Sequence, residues 1–596
     1  YHELDKFSIA AKYYKKSNEI NQRKLPKNHP IIASTLMGLG DVSNDQSNYN
    51  EARKYYEEAL HILLESMPNN SIHIGECYLS LGRLYMNLEE NQTALTNFRK
   101  GLAIILKSRS ENDRKLVPVY THIGSVYKKL KYTNTALKYY KKALTIINEQ
   151  SEPYLNDLLE TYCHLLYFYF DQDKYSQTLK YCRKILKLRK SCENKYMNFF
   201  AQAYDMLGHV YCIQKKGELG LIYGKRALKI RKSMYMNNHP SIADSYHNMV
   251  LLCAELEKHN LRLNYALKTL AIRLNPSTDF KDEREIVDAF HEISKAHISL
   301  GDYSSAVQAF IDAQQYTNTV EQVANNYFSI GNVYFDYVEN YETAKDYYEK
   351  TLKVCEDASL ESWLSETYWA VGKSYQCLGD RSQAMKHYRS ALSYGDLADN
   401  PKYILAEIHH SSGTIYEETG KFSKALQTFR KAVSYAIEDE CFLENLYHDM
   451  AFVYEKMDSF DKAMKYHRKV INIHESHSIK CEDPGHAAES FLHMGTLAFT
   501  VLKDDKQLVK YTEKALSIYE HSDDIDITDK KNLFIAYNNL GDAYMRLNEY
   551  GIALKHLEIA RKLATEIGLD HNHSQVTEID TQITSIREQI INGLIQ

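Results

Sequence analysis

Twenty-five histidines among 596 residues make metal binding the first chemistry to weigh. Two close pairs, His474 with His477 and His571 with His573, have the proximity a metal ion needs. Neither pair has a Cys, Asp or Glu at matching ligand spacing, so both read as solvated loop residues. No metal and no cofactor is expected. The ten cysteines are scattered without a CxxC pair, and most lie inside apolar helical patterns, such as Cys163 in ETYCHLL and Cys253 in LLCAEL. They read as reduced, buried, small residues and not as disulfides or zinc ligands. GxGxxG, a phosphate-binding loop, HExxH and GxSxG are all missing. Acidic pairs such as Glu417-Glu418 are common on exposed helix faces and do not specify acid/base catalysis. No catalytic residue is assigned, and the chain on its own is not expected to be an enzyme.

The elements that hold these residues come from a repeat. NHPIIA at Asn28 to Ala33 returns as NHPSIA at Asn238 to Ala243, 210 residues later. The same period runs through Ala10, Ala52, Ala94, Ala136, Thr178, Gly220 and Arg262, in steps of 42. It continues through Ala306, Ala344, Ala384, Ala425, Ala463, Leu508 and Ala553, in steps of 38 to 45. Each unit reads as two helices. Tyr78, Leu81, Gly82 and Tyr85 share one helical face, and Ala94, Phe98 and Gly101 share a face of the next. Small residues at Gly40, Gly82, Gly124, Gly208, Gly372, Gly413 and Gly541 face others at Ala52, Ala94, Ala136, Ala384, Ala425 and Ala553, so paired backbones can approach closely. Turns such as Gly301-Asp302, Gly379-Asp380 and Gly420-Lys421 end the first helices. With 49 Tyr against 9 Pro and 23 Gly, the composition also favours helices over a turn-rich sheet protein.

The order aromatic, Leu-Gly, Tyr, then Ala, aromatic, Ala resembles the tetratricopeptide repeat along practically the whole chain. The 42-residue period and the loop from Leu25 to Ala33 resemble the long-loop repeats of kinesin light chains. The resemblance implies an all-α fold, a right-handed α-α superhelix (solenoid) of about 13–14 helix pairs. A regular array is expected over residues 1–275, its first repeat incomplete, and an irregular array over 276–573. A capping helix is expected over 574–596, with Val576, Ile579, Ile583, Ile586 and Ile590 on its apolar stripe. Arg262 and Leu508 fit their slots poorly. The Arg262 helix is expected to shift, or its guanidinium to reach water. The segment 275–285 is the candidate joint between two parts of the array.

Stacked helix pairs place their first helices on an inner face. The inward positions expected to form a peptide-binding groove are Arg83, His122, Ser125, Lys128, Lys129, His164, Tyr167, His209, His247, Asn248, His291 and Lys295. Trp369, Lys373, His410, His448, Asn538 and Asp542 continue this face. Arg83 and the early histidines, with Lys128 and Lys129 nearby, suggest an acidic peptide with an aromatic anchor. Tyr85, Tyr127, Tyr169, Tyr211, Tyr375, Tyr416, Tyr454 and Tyr544 share one slot on the apolar stripe and read as core, not as a base-stacking platform.

Charge is divided along the chain. Residues 1–300 carry 44 Lys+Arg against 32 Asp+Glu, and residues 301–596 carry 29 against 46. The basic excess is assigned to outward helices, including KYCRKILKLRK (180–190) and GKRALKIRK (224–232). No run of apolar residues is long enough for a membrane span. A cytoplasmic scaffold binding protein or peptide ligands is the expected function, with oligomeric state open. Two alternatives remain. The chain lacks an initiating Met and is expected to be a fragment or processed piece. It could then be the regulatory arm of an enzyme such as a mono-ADP-ribosyltransferase. Nucleic-acid binding by the basic half is the weaker alternative, since no recognition motif accompanies the charge.

Overall fold

A computed structural model describes residues 7–149, 155–189, 196–275, 283–436, 439–476, 485–519, 527–570 and 573–591. These form 28 α-helices with no strand among them, packed in consecutive antiparallel pairs such as Val117–Lys129 with Thr133–Asn148. Contacts divide the chain into two compact units, Tyr1–Val333 and Tyr334–Gln596. Most of the segment proposed as a joint (residues 276–282) falls outside the described residues, as do His477 and His571.

The returning NHP loop is a helix start. His29 and His239 cap the helices Pro30–Asp45 and Pro240–Ala254, accepting backbone N–H bonds from Ile31 (3.2 Å) and Ser241 (3.1 Å) at Nδ1. Proline follows at the first helical position, where its missing N–H costs nothing. First helices stop at a left-handed residue. Gly301, Gly379 and Gly420 provide it at φ of +75°, +84° and +69°. Ser47, Glu89, Lys131, Asp173, Lys215 and Glu257 occupy the same conformation at 42-residue intervals without being glycine.

Within a repeat, the Ala slot and the Leu-Gly pair meet where the two helices cross. Ala52, Ala94, Ala136, Ala384, Ala425 and Ala553 are fully buried. Four residues after each slot an aromatic or aliphatic ring or branch lies on the glycine. A Cβ on Gly40, Gly82 or Gly124 would stand 2.6–2.8 Å from the rings of Tyr56, Phe98 and Tyr140. Gly372, Gly413 and Gly541 carry Tyr388, Phe429 and Leu557 in the same way. Gly208 instead meets the backbone of Gly220, with Leu252 of the next repeat filling the gap.

Volume is conserved where the pattern breaks. Leu166 stands where the preceding repeat has Gly124, and Cys182 replaces the aromatic; both are fully buried. Leu508, expected to be oversized, is buried beside Gly495 because the ring position holds the small Thr512. Arg262 corrects a second expectation. Its side chain, 12% exposed, is not left unpaired but binds Glu292 of the next first helix at 2.8 Å, and Lys295 shares that carboxylate at 2.9 Å.

In the first unit, the first helices Pro30–Asp45, Ile72–Asn87, Val117–Lys129, Leu155–Phe170, Met197–Ile213 and Pro240–Ala254 each touch the next. In the second, Glu361–Cys377 touches Pro401–Glu418, and Glu440–Lys456, Gly485–Leu502 and Ile527–Arg546 form a series. Second helices make no comparable contacts with one another among the described residues. First helices therefore line the tighter, inner face of each unit. Beyond them, Ser574–Ile591 lays Val576, Ile579, Ile583 and Ile586 on the last pair. Ile590 is 39% exposed and does not join that stripe.

Candidate functional site

The residue directly after each Leu-Gly glycine, or its substitute, forms a row along the inner face. In the first unit the row is Asp41, Arg83, Ser125, Tyr167, His209, Leu251 and Lys295. In the second it includes Lys373, Thr414, Phe452, Thr496 and Asp542. None of these is buried, whereas the residue just before each one is. Packing fixes the small residue, and one position on, the helix turns the next side chain into the groove.

Several groove residues assigned from sequence are brought together. His122 stacks on Phe98 at 5.9 Å, and His164 stacks on Tyr140 at 5.9 Å, each covering the crossing-point ring of the preceding repeat. The Ser125 hydroxyl bridges the Tyr140 hydroxyl (3.0 Å) and His164 Nδ1 (3.1 Å). Burial pulls His122 down to about 4, against the attraction of Glu160, with His164 and Arg83 pushing the same way as burial. His209 is also lowered by burial, while its hydrogen bond to Asn248 opposes the shift and nearby His247 adds to it. His291 meets Asn326 at 2.5 Å and the edge of Phe310. Tyr167 is 37% exposed in the row.

The positive groups do not stand free as the sequence suggested. Arg83 Nη2 binds Asp41 at 2.9 Å, one repeat back. Lys128 binds Asp171 at 2.7 Å, Lys129 approaches Glu89 at 3.8 Å, and Lys295 is held by Glu292. The first three are matched by a neighbouring repeat and Lys295 by its own helix, which reduces the local positive potential. Arg231 departs further. Its segment GKRALKIRK reads as outward, but Arg231 is buried and binds Asp205 (2.7 Å) and Ser245 (2.6 Å). Burial outweighs that partner and pushes the Asp205 carboxyl up to about 6.

The second unit carries a denser network. His410 Nε2 meets Asp449 at 2.7 Å, and His448 lies between Asp449 and Glu489, 3.2 Å from the latter. Burial would depress His448, but the carboxylates of Asp449 and Glu489 prevail and raise it to about 9. Farther along the groove, Lys373 lies over Trp369 at 4.9 Å and over Phe335 at 5.3 Å. Lys456 covers Phe452 at 4.6 Å.

Residues 117–150 and 406–436 match one tetratricopeptide-repeat family model, and residues 32–66 match another. The chain thus contains tetratricopeptide repeats in these segments. No curated protein sequence matches it. Among solved structures, it is similar to the apo form of RapI, with 15% identity and a TM-score of 0.44 over 60% of this chain and 98% of that one. The apo quorum sensor NprR from B. thuringiensis gives 14% and 0.40 over 61% and 97%. The APC/C hetero-tetramer Cut9-Hcn1 gives 12% and 0.34 over 97% and 93%. The likeness to kinesin light chains rests on the period and the NHP loop alone.

The tetratricopeptide repeats also place the shared-slot tyrosines differently from the expectation. Tyr85, Tyr127 and Tyr454 are buried, but Tyr169, Tyr211, Tyr375, Tyr416 and Tyr544 are only half-buried. Tyr127, Tyr169 and Tyr211 stack on Tyr139, Tyr181 and Tyr223 of the paired helix at 5.5–5.6 Å. Tyr375 and Tyr544 stack on His387 and His556. Basic side chains cover these rings: Arg99 over Tyr127, Lys184 over Tyr181 and Arg226 over Tyr223. Part of the basic excess of the first 300 residues is thus used as cation–π lids. No helix among the described residues is long and apolar enough to cross a membrane.

Proposed function

We propose that the inner face of each unit binds an extended peptide segment of a protein partner, so that the tetratricopeptide array acts as an interaction scaffold. The observation carrying this reading is the row that follows the buried small residues. One position per repeat is free of packing duty, and it holds a different chemistry in nearly every repeat: acid, base, hydroxyl, phenol, imidazole or aliphatic branch. Such a row can read a sequence, one or two ligand residues per repeat, on a constant scaffold. Exposed Tyr167 and Phe452 are its aromatic contact points, and rigid rings of this kind dominate binding energy when a ligand covers them.

The test is selection of peptides from a random library on the intact chain, followed by affinity measurement. Tyr167→Ala and Phe452→Ala should each weaken the peptides selected on their own unit by about 10-fold or more, with unchanged helicity. Lys187→Glu with Arg189→Glu, both exposed at the C-terminal end of a second helix, should leave binding intact. Loss of binding in that outward pair, with the groove variants unaffected, would move the site to the opposite face.

A further inference from the structure

The crossing-point ring of the repeat spanning Glu440–Ser476 is a histidine. His467 stands four residues after the slot Ala463, where other repeats carry Tyr140, Tyr388 or Phe429, and it is fully buried. The groove residue of the next repeat that covers it is also a histidine: His493 stacks on His467 at 5.4 Å, with 11° between the rings. This is the same relation that His122 has to Phe98. Glu455, from the first helix of the pair, bridges one nitrogen of each imidazole. Its Oε1 is 3.0 Å from His467 Nε2, and its Oε2 is 2.9 Å from His493 Nδ1.

We propose that Glu455, His467 and His493 form a binding site for a divalent transition ion of the zinc class. The three donor atoms lie within 4.8 Å of one another, on three different helices. An ion about 2.0–2.2 Å from each donor would separate them by roughly 3.3 Å in a tetrahedral arrangement, so closure requires only small side-chain shifts. Two imidazoles and one carboxylate suit zinc-like ions over magnesium or calcium, which favour all-oxygen shells. A supporting group is already in place: the other ring nitrogen of His467, Nδ1, is 3.1 Å from the Ser490 hydroxyl. On binding, the protons that His467 Nε2 and His493 Nδ1 share with Glu455 pass to the other ring nitrogens or to water, and His467 Nδ1–H then donates to Ser490 Oγ, fixing the ligating tautomer. His467 is sealed, whereas the His493 side chain is 35% exposed and Glu455 17%. The ion therefore has a route in from the groove, and water completes its shell. Phe452, edge-on to His493 at 5.9 Å, forms an apolar wall beside that route.

The test uses the intact chain stripped of metal and titrated with Zn2+ by calorimetry and with Co2+ by visible absorption. One equivalent should bind, with the intense d–d bands of a four-coordinate Co2+ ion. His467→Phe places in this slot the ring type that Phe98 and Phe429 already place in theirs, so the repeat should keep its helicity while Zn2+ affinity falls at least 100-fold. His493→Gln should do the same. Ser490→Ala, which removes only the supporting hydroxyl, should weaken Zn2+ by about 10–100-fold. Failure of the wild type to take up one equivalent of either ion would overturn the proposal. So would retention of that equivalent in both His467→Phe and His493→Gln, which would leave the cluster as a hydrogen-bonded groove network.

Discussion

His122 and His467 show how much one side chain's surroundings decide. His122 lies on the inner face and His467 is sealed at a crossing point on a second helix, and the sequence places only His122 in the groove. It could do so because His122 stands two residues before Gly124 on a first helix with clear phase. His467 carries no such mark, since an aromatic slot filled by imidazole looks like any other second-helix position. Its partners Glu455 and His493 are 12 and 26 residues away, with no ligand spacing to mark them. His474 and His573, each from a pair close in sequence, join no such cluster among the described residues. His122 allows a test of burial. Its folded-state value lies near 4 and its unfolded value near 6.5, so the unfolded chain binds more protons between those limits. Its contribution is therefore present above about pH 6.5 and is lost as the pH falls toward 4. His122→Phe keeps the stack on Phe98 without the titration. Between pH 7 and 4.5 the wild type should lose about 1–3 kcal/mol more than the variant in denaturant unfolding. Equal losses would mean that the imidazole protonates freely in the folded state.

At the level of the helix pair, the phase of the repeat was legible because the crossing point tolerates so few side chains. Leu-Gly against Ala and a ring is a volume constraint, and volume constraints recur in register. The compensating swaps were harder to read, because Leu166 with Cys182, or Leu508 with Thr512, makes sense only when both halves are in contact. Gly82→Ala should test the constraint. Its Cβ would stand 2.8 Å from Phe98, and overpacking of this kind costs about 1–3 kcal/mol. Gly551→Ala is the control, as nothing lies within 4 Å of that position; the change should stabilise by roughly 0.4–1 kcal/mol. The Arg262 bridge makes a second prediction. Arg262→Ala leaves Glu292 buried with Lys295 as its remaining cation, so unfolding should become easier by about 2–4 kcal/mol. Adding Glu292→Gln should recover much of that loss, since the slot holds Ala in most repeats. If the double variant were no better than the single one, the pair's charge would not be the cause.

For the molecule as a whole, repeat packing predicts that damage stays local. Stability in such arrays is close to a sum of units and nearest-neighbour interfaces. Ala136→Leu overfills a fully buried position between Val117–Lys129 and Thr133–Asn148. Hydrogen exchange should accelerate in those helices and their immediate neighbours, while the second unit, Tyr334–Gln596, keeps its rates. A uniform loosening of both units would show that the chain unfolds as one cooperative body. The sequence resolved the repeats, but the division at Val333 and Tyr334 differs from the change of period near residue 275. Period is set by loop length, whereas compactness is set by which faces touch, and residue order reports only the first.

The turns at the ends of the first helices have a bearing on how far this protein could be hardened against heat. Left-handed backbone at a residue with a Cβ costs roughly 1 kcal/mol or more, and Lys131, Lys215 and Lys503 each bear it at φ between 53° and 63°. These positions lie two or more repeats apart, so their effects should sum. Replacing them with glycine, the residue their counterparts Gly301, Gly379 and Gly420 already use, should add about 0.5–1 kcal/mol apiece. Melting temperature would then climb stepwise with each edit, and the inner row of side chains would be left as it is.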